Sequence, residues 1–238
     1  MKRAVLLLSS GLDSAANLVL STPSDSDQQF HVELALTIDY GQRSSKAELE
    51  HARALCKHYG VEHVVLDFSH FPKFIGNHSA LLGGQDVPNL SASVLDDEAT
   101  TTKSAKAVWV PNRNGVFLSL AAALAESRGL DAVAVGFNAE EAVTFPDNTA
   151  DYMQAMTHSF AYSTANRVEV VSATHSMTKK QIVQSLSEKD FPFELVWSCY
   201  HNEATHCGRC ESCQRLRRAL ETGLPEEQSR EALAKVFK

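Results

Sequence analysis

The sequence predicts an α/β fold in which a parallel sheet carries helices on both faces, with a small helical region at the C-terminus. Strand-like and helix-like segments alternate along the 238 residues, and a turn of small residues joins the first pair. Parallel strands need long crossover connections, which are usually helices. Ligands of such sheets bind at the carboxyl ends of the strands. We therefore expect the functional residues in the turns that follow strands.

The first pair is a strand at 4–8 and a helix at 12–20, joined by the turn Ser9-Ser-Gly-Leu-Asp-Ser14. The start of a helix presents unpaired backbone N–H groups and the positive end of its dipole, and the serine hydroxyls lie at the same point. This pattern predicts a site for an anion such as phosphate. The turn lacks the Walker A spacing and its lysine. Without a ligand, the same Ser and Asp residues form an ordinary helix cap.

A polar loop at 21–29 leads to a second strand at 32–38, a helix at 45–59 and a third strand at 61–66. The segment Asp39-Tyr-Gly-Gln-Arg43 follows the second strand, so it lies at the same edge of the sheet as the first turn. A glycine turn capped by polar residues explains this segment equally well without a ligand.

Residues 67–107 contain scattered Gly, Pro, Ser and Thr with little periodicity. A loop of this length inside a compact domain is usually a lid or a binding insertion. We expect order to return at 108–110, followed by Pro111-Asn-Arg-Asn114 and a long apolar helix that ends near residue 127. Between them, Asn114 can cap the helix, and Arg113 can point its guanidinium into the site.

The rest of the pattern predicts two more strands, at 132–136 and 168–172, and four more helices, at 148–165, 178–188, 213–222 and 226–236. We divide the chain into an α/β domain at 1–190 and a C-terminal helical region at 191–238.

The C-terminal region contains four cysteines, Cys199, Cys207, Cys210 and Cys213, within fifteen residues. Two overlapping Cys-x-x-Cys units of this kind can wrap a tetrahedral ion, which favours structural zinc. An iron–sulfur cluster and redox-active thiols are the alternatives, and His201 and His206 are substitute ligands. Arg209, Arg215, Arg217 and Arg218 flank the site, where a solvated helix face is the simpler interpretation.

Composition limits the function classes. A net charge of −7 and a pI of about 5.8 disfavour non-specific nucleic-acid binding, which depends on clustered Lys and Arg. The apolar run near the N-terminus is too short for a signal peptide or a membrane span. We expect a cytoplasmic protein that acts on a small molecule, with no direct nucleic-acid partner and no membrane contact.

Together, the motifs resemble one family, the 7-cyano-7-deazaguanine synthases of queuosine precursor synthesis, which belong to the PP-loop ATP pyrophosphatases. The similarity extends from end to end of the chain. It rests on the turn at 9–14, Asp39-Tyr-Gly-Gln-Arg43, Val110-Pro-Asn-Arg-Asn114, Phe117-Leu-Ser119, Met177-Thr-Lys179, Ser198-Cys-Tyr200 and the final Cys-Gly-x-Cys-x-x-Cys. This combination is far more specific than any one of its members.

The resemblance implies a Rossmann-like, adenine-nucleotide hydrolase fold, with ATP bound by 1–190 and zinc by 191–238. It implies an ATP-dependent ligase in which the carboxylate of 7-carboxy-7-deazaguanine attacks the α-phosphate of ATP and pyrophosphate leaves. Ammonia then converts the acyl adenylate to an amide. A second ATP activates the amide oxygen, and loss of AMP gives the nitrile. A homodimer is compatible with the resemblance.

The resemblance also implies roles for individual residues. Asp13, Arg113 and Lys179 are the catalytic candidates, of which Arg113 and Lys179 would reach the α-phosphate or the substrate carboxylate. ATP and Mg²⁺ are expected at Leu8, Ser9, Ser10, Gly11, Leu12, Asp13, Ser14, Asp39 and Gln42. The 7-deazapurine carboxylate is expected at Arg43, Arg113, Asn114, Asn138 and Asp147. Zn²⁺ is expected at Cys199, Cys207, Cys210 and Cys213.

The chain departs from the family pattern in two places. Ser10 stands where the family usually has its first loop glycine. In the segment 141–149, Asn148 and Thr149 replace a Cys and an Arg, which removes a positive charge near the expected pocket. One alternative is therefore a paralogue that adenylates a related carboxylate and stops at the amide, or transfers the acyl group to another amine, including one on a protein. Another is a non-catalytic nucleotide-binding zinc module.

Overall fold

 The described residues of the computed structural model are 1–20 and 30–238, and the polar loop predicted at 21–29 lies outside them. Their centre is a five-stranded sheet in the order β3-β2-β1-β4-β5, and every pair of neighbouring strands is parallel. The strands are β1 (Lys2–Leu7), β2 (Phe30–Asp39), β3 (Glu62–Asp67), β4 (Ala132–Ala134) and β5 (Glu169–Val171). This is the predicted class, a Rossmann-like α/β fold whose strand order reverses between β1 and β4.

Helices cover both faces of the sheet. They are α1 (Leu12–Val19), α2 (Ser45–Tyr59), α3 (Phe71–Ile75), α4 (Glu98–Val108), α5 (Arg113–Ser127), α6 (Ala139–Ala142), α7 (Ala150–Ser163), α8 (Lys179–Ser187), α9 (Glu211–Gly223) and α10 (Glu226–Val236). Side chains alternate along a strand. Ala4 and Leu6 therefore pack with α1 and α8, whereas Val5 packs with α5 and α7 on the opposite face.

The strand register brings three turns to one edge of the sheet. Leu7 of β1 pairs with Leu36 of β2, and Leu6 pairs with Ala134 of β4. Gly136, just beyond β4, lies against the start of α1, where a Cβ on it would be 2.4 Å from the backbone nitrogen of Ser14. Only glycine permits this close approach.

The segment between β3 and α5 differs from the prediction. It contains α3, α4 and two 3₁₀ turns, at Ala80–Leu82 and Ala92–Val94. Order begins earlier than residue 108, because α4 already spans Glu98–Val108.

Two local predictions also need correction. Asn112, and not Asn114, occupies the N-cap position of α5, with a left-handed φ of 51°. Asn114 lies inside the first turn of the helix. The short helix α6 was not predicted, because four residues carry no helical periodicity.

The C-terminal region packs on the α/β part of the chain. Gly223 of α9 lies so close to α8 that a Cβ would be 2.9 Å from Cγ1 of Val183. Both helices belong to the apolar cluster that covers one face of the sheet. The division at residue 190 stays a prediction. Within the described ranges, no helix combines the length and apolar character needed to cross a membrane.

Candidate active site and metal centre

A cavity of about 310 Å³ opens at the edge of the sheet where β1, β2 and β4 end. Its wall comes from the turn after β1, the segment between β3 and α5, the segment 136–148, and the C-terminal region. Of the residues predicted for the site, the cavity brings together Leu8, Ser9, Gly11, Leu12, Asp13, Ser14, Arg113, Asn114, Asp147, Lys179 and Cys199. The carboxyl edge predicted from the strand pattern is thus the location of the cavity.

The turn at 9–14 is fixed by its own hydroxyls. Ser14 Oγ donates to the carbonyl of Gly11 at 3.1 Å and contacts Ser9 Oγ at 3.1 Å. Gly11 is the N-cap residue of α1, and its side-chain-free backbone leaves the helix start open to the cavity. The turn therefore presents backbone N–H groups and hydroxyls to whatever occupies the cavity.

Ser10 is the one residue of this turn that does not line the cavity. It is fully buried with a φ of 59°, a left-handed conformation that glycine adopts more easily. Its hydroxyl donates to the carbonyl of Ser9 at 2.6 Å, and its own carbonyl accepts from the backbone N–H of Trp197 at 2.9 Å. The C-terminal region thus holds the turn from behind.

A buried ion triad lies beside the turn. Lys179 Nζ donates to Asp13 Oδ2 at 2.5 Å and to Glu141 Oε1 at 2.9 Å. Burial raises the pKa of Asp13 to about 6, although Lys179 opposes the rise. Burial alone would lower the pKa of Lys179, but the two carboxylates outweigh it and raise that pKa. Lys179 is therefore charged, and Asp13 Oδ1 is buried without a partner among the described residues.

Two helix starts position the triad. Thr178 and Gln181 form a capping box that sets Lys179 as the first residue of α8. Asn138 caps α6, where its Oδ1 accepts from the backbone N–H groups of Glu140 and Glu141. Asn138 is fully buried and outside the cavity wall, so it contacts the site only through the carboxylates it positions.

Arg113 lies at the start of α5 with neutral hydrogen-bond partners. Its Nη1 donates to the hydroxyl of Tyr40 at 3.3 Å, and its guanidinium carbon is 5.8 Å from the centre of the Tyr40 ring. Asn114 Nδ2 donates to the carbonyl of Asp147 at 3.4 Å, which connects α5 to the segment 141–149. Burial raises the pKa of Asp147, and Arg113 opposes the rise.

Three residues predicted for the site, Asp39, Gln42 and Arg43, do not line the cavity. Asp39 accepts from the N–H of Gly41 at 3.0 Å, and Gln42 accepts from the N–H of Tyr40 at 2.9 Å. Arg43 donates to the carbonyls of Ala80 and Gln85, away from the cavity. These bonds fix the turn after β2 so that Tyr40 faces the cavity.

Aromatic side chains that the sequence analysis did not select form further walls. Trp109 stacks on Phe145 with ring centres 6.2 Å apart and planes 7° from parallel. Tyr40 and Phe117 meet edge to face at 5.2 Å. Trp109 lies two residues beyond the segment predicted as a lid or binding insertion at 67–107, and nothing local indicated its partner Phe145.

The prediction that the arginines of α9 form a solvated face is wrong for Arg215. Arg215 lines the cavity with only 19% of its side chain exposed, and it pairs with Glu211 of the same helix at 2.8 Å. Glu211 in turn accepts from Ser104 Oγ of α4. The helix face that carries Arg215 turns toward the cavity, because α9 packs between α8 and the segment that carries α4.

The four predicted cysteines converge. Their sulfur atoms all lie within 4.8 Å of one another, and Cys207 Sγ is 3.8 Å from Cys213 Sγ. Backbone N–H groups donate to Cys199 Sγ and to Cys207 Sγ, which favours thiolates. Sulfurs placed 2.3 Å from one tetrahedral ion are about 3.8 Å apart, so this set fits a single ion.

The cysteine knuckle also holds the segment between β3 and α5. Asn89 forms an antiparallel bridge with Cys210, and the N–H of Leu90 donates to the carbonyl of Arg209 at 3.1 Å. Arg218 pairs with Asp96 at 2.7 Å. The cysteine knuckle therefore contacts and holds the segment that forms one wall of the cavity.

Comparison with known proteins gives the same assignment as the motifs. A family model described as "Queuosine biosynthesis protein QueC" matches residues 3–223. The chain belongs to the QueC family. Its curated relatives include the 7-cyano-7-deazaguanine synthases of Methanosarcina mazei, 45% identical over 222 residues, and of Bdellovibrio bacteriovorus, 44% identical over 219 residues. Each match covers 92% of this chain and 93% of the relative. QueC membership identifies the protein as an enzyme of queuosine precursor synthesis.

Among solved structures, the chain is similar to the U34-tRNA thiolase NcsA from Methanococcus maripaludis with its [4Fe-4S] cluster, at 12% sequence identity and a TM-score of 0.48. The match covers 98% of this chain and 70% of the thiolase.

Proposed function

We propose that the protein converts 7-carboxy-7-deazaguanine and ammonia to 7-cyano-7-deazaguanine at the expense of ATP, through an acyl adenylate and an amide. The observation that carries the proposal is the turn at 9–14, which opens to the cavity beside the Asp13–Lys179–Glu141 triad. Membership of the QueC family supports the choice of product.

ATP would bind with its phosphates at the start of α1. The helix dipole, the backbone N–H groups and the hydroxyls of Ser9 and Ser14 all favour an anion at that point. Lys179 adds a fixed positive charge, which would stabilise the charge that develops on the α-phosphate during attack. The aromatic side chains of Trp109 and Phe117 in the cavity wall would pack against the flat rings of the ligands and exclude water from a reactive adenylate.

The charges of the cavity support a divalent cation. Three cations, Arg113, Lys179 and Arg215, line the wall with six carboxylates, those of Asp13, Glu48, Glu140, Glu141, Asp147 and Glu211. ATP adds more negative charge, so cations must enter with it. The unpartnered Oδ1 of Asp13 is the type of oxygen that Mg²⁺ prefers, and Mg²⁺ would offset the charge on the departing pyrophosphate.

The reaction needs no nucleophilic side chain, because the substrate carboxylate is itself the nucleophile. The residues of the cavity would hold the carboxylate in line with the α-phosphate, which is catalysis by positioning. Adenylation turns a poor leaving oxygen into a good one, first on the acid and then on the amide.

We infer that the cysteine knuckle holds Zn²⁺ in a closed structural site. Four thiolates complete the coordination of one tetrahedral ion and leave no position for substrate. An iron–sulfur cluster places several metal ions between its ligands and so needs sulfurs farther apart than those of this knuckle. His206 accepts from the N–H of Ser198 at 3.1 Å, and its ring packs at a tilt against Trp197 with centres 4.6 Å apart, so it is not a substitute ligand.

The direct test is product analysis. The purified protein would be incubated with ATP, Mg²⁺, ammonium and 7-carboxy-7-deazaguanine, and the products identified by mass spectrometry. We expect the nitrile, and no nitrile when ammonium is omitted. Absence of ATP turnover with every carboxylate offered would favour the nucleotide-binding module instead.

The segment 141–149 supports a second candidate, a paralogue that stops at the amide or passes the acyl group to another amine. Asn148 lies in the cavity wall where the family pattern has Cys, and Thr149 caps α7 by accepting from the N–H of Tyr152 at 3.1 Å. Accumulation of the amide without nitrile in the same assay would select this candidate.

A further inference from the structure

The three cations of the cavity differ in how many hydrogen-bond donors they keep free for a ligand. Lys179 is shared between two carboxylates, and Arg113 donates to neutral partners. Arg215 directs both Nε and Nη2 to a single oxygen, Oε1 of Glu211, each at 2.8 Å. No acceptor for its Nη1 is found within 1–20 and 30–238. One edge of the Arg215 guanidinium is thus unused.

Arg215 is held rigidly in this orientation. Its partner Glu211 is buried, with 10% of the side chain exposed, and the second oxygen of Glu211 accepts from Ser104 Oγ. The chain Ser104–Glu211–Arg215 therefore runs from α4 across the start of α9 into the cavity wall. A guanidinium fixed in advance loses little conformational entropy when it binds a ligand.

The charge of Arg215 acts inside the cavity. Glu141 and Tyr200 both line the cavity, and the positive charge of Arg215 favours the ionised form of each. Arg215 lies on the C-terminal wall with Tyr200 and Ser212, on a different element from the turn at 9–14 that would take the phosphates. An anion at Arg215 would therefore be the second reactant, bound on a different wall from the phosphates.

We propose that Arg215 binds the carboxylate of the acceptor and so distinguishes the acid from the neutral amide. The proposal rests on the proposed function and names a specificity residue for it. The free edge of a guanidinium donates two parallel hydrogen bonds to a carboxylate, a geometry that a neutral amide cannot match with the same strength. Ser104 and Glu211 act as positioning residues for Arg215.

The test compares the two halves of the reaction in Arg215→Gln. Removal of a charge-assisted bond should weaken binding of 7-carboxy-7-deazaguanine by roughly 10- to 100-fold. Binding of ATP and conversion of the separately supplied amide to nitrile should keep their wild-type constants. Arg209→Gln is the matched control, since Arg209 lies in the same region but is exposed and pairs with Glu203 at the surface.

Two further variants separate positioning from folding. Arg215→Lys keeps the charge but loses the fork, so it should restore only part of the affinity for the acid. Ser104→Ala releases Glu211 and should weaken acid binding less than Arg215→Gln does, with the amide again unaffected. If Arg215→Gln fails to fold, as judged by its thermal melt and zinc content, Ser104→Ala carries the test.

Several results would overturn the proposal. Equal losses for acid and amide would mean a structural role, and a loss confined to ATP would make Arg215 a phosphate ligand. If Arg215→Gln binds the acid as tightly as the wild-type protein does, this inference alone is overturned. Wild-type protein that binds neither acid nor amide would overturn the proposed function with it.

Discussion

The ion triad and the cysteine knuckle are two ways of holding charge in one small protein. The triad of Asp13, Glu141 and Lys179 lines the cavity and leaves one buried carboxylate oxygen, Oδ1 of Asp13, without a partner among the described residues. The knuckle gathers four sulfurs around one point, three of them on buried cysteines. An open arrangement can respond to a ligand, whereas a closed one can only hold the chain. We expect the triad to control chemistry and the knuckle to control stability.

The largest effect is expected from breaking the knuckle. Cys210→Ala leaves three thiolates and opens the site, so most of the metal and several kcal/mol of stability should be lost. Metal analysis and thermal melting would check this. Cys56→Ala is the control, because that buried thiol lies outside the cluster and should keep the full metal content. Stoichiometric zinc in Cys210→Ala would mean that the ligands are wrongly assigned.

Loss of the triad lysine should lower both activity and stability while the knuckle keeps its metal. Lys179→Met leaves two carboxylates facing each other, which costs about 3–5 kcal/mol unless they take up a proton, while adenylation should fall by at least ~100-fold. Lys180→Met changes the exposed neighbour and should match wild type in both respects. The distinction between the two regions fails if Lys179→Met loses zinc but keeps turnover.

The sequence located these two regions unequally. The knuckle could be predicted completely, because its four ligands lie within fifteen residues and their spacing carries the geometry. Asp13 and Lys179 were found through separate motifs, but they are 166 positions apart, and their pairing depends on the tertiary fold. Glu141 and Arg215 were missed, since a charge on a short or amphipathic helix is locally indistinguishable from a surface charge.

A change of pH should alter the protonation of the triad and leave the metal content of the knuckle unchanged. Burial raises the pKa of Asp13 to about 6 from 3.8. The folded protein therefore binds a proton more tightly than the unfolded chain, so this group lowers stability as pH rises from about 3.8 to about 6. In the proposed reaction Mg²⁺ would bind the ionised carboxylate together with ATP, so kcat/KM for ATP should rise through pH 6 and then level off.

The pH profile would be measured between pH 5 and pH 8 with zinc content followed in parallel. Asp13→Asn should remove the inflection along with most of the activity, while the zinc content stays constant. An inflection near pH 6 that survives in Asp13→Asn would belong to another group.

The smallest effect is expected from a contact that shapes the turn. A Cβ at Gly136 would lie 2.4 Å from the backbone nitrogen of Ser14, so Gly136→Ala must displace the start of α1. We expect ATP affinity to fall by about tenfold, the equivalent of roughly 1.4 kcal/mol. Gly129→Ala is the control, because nothing lies within 4 Å of its added Cβ and only its φ of 64° is unfavourable. That variant should lose some stability and no ATP affinity.

The central claim is that the cavity adenylates a carboxylate, and isotope transfer tests it most directly. The reaction would be run with 7-carboxy-7-deazaguanine labelled with ¹⁸O in both carboxyl oxygens, and the nucleotide products analysed by mass spectrometry. Each carboxyl oxygen leaves on a phosphoryl group, one when ammonia displaces AMP and one when the nitrile forms. We predict two molecules of singly labelled AMP and two of unlabelled pyrophosphate for each nitrile. Labelled phosphate with ADP would contradict the account, because attack would then have occurred at the γ-phosphate.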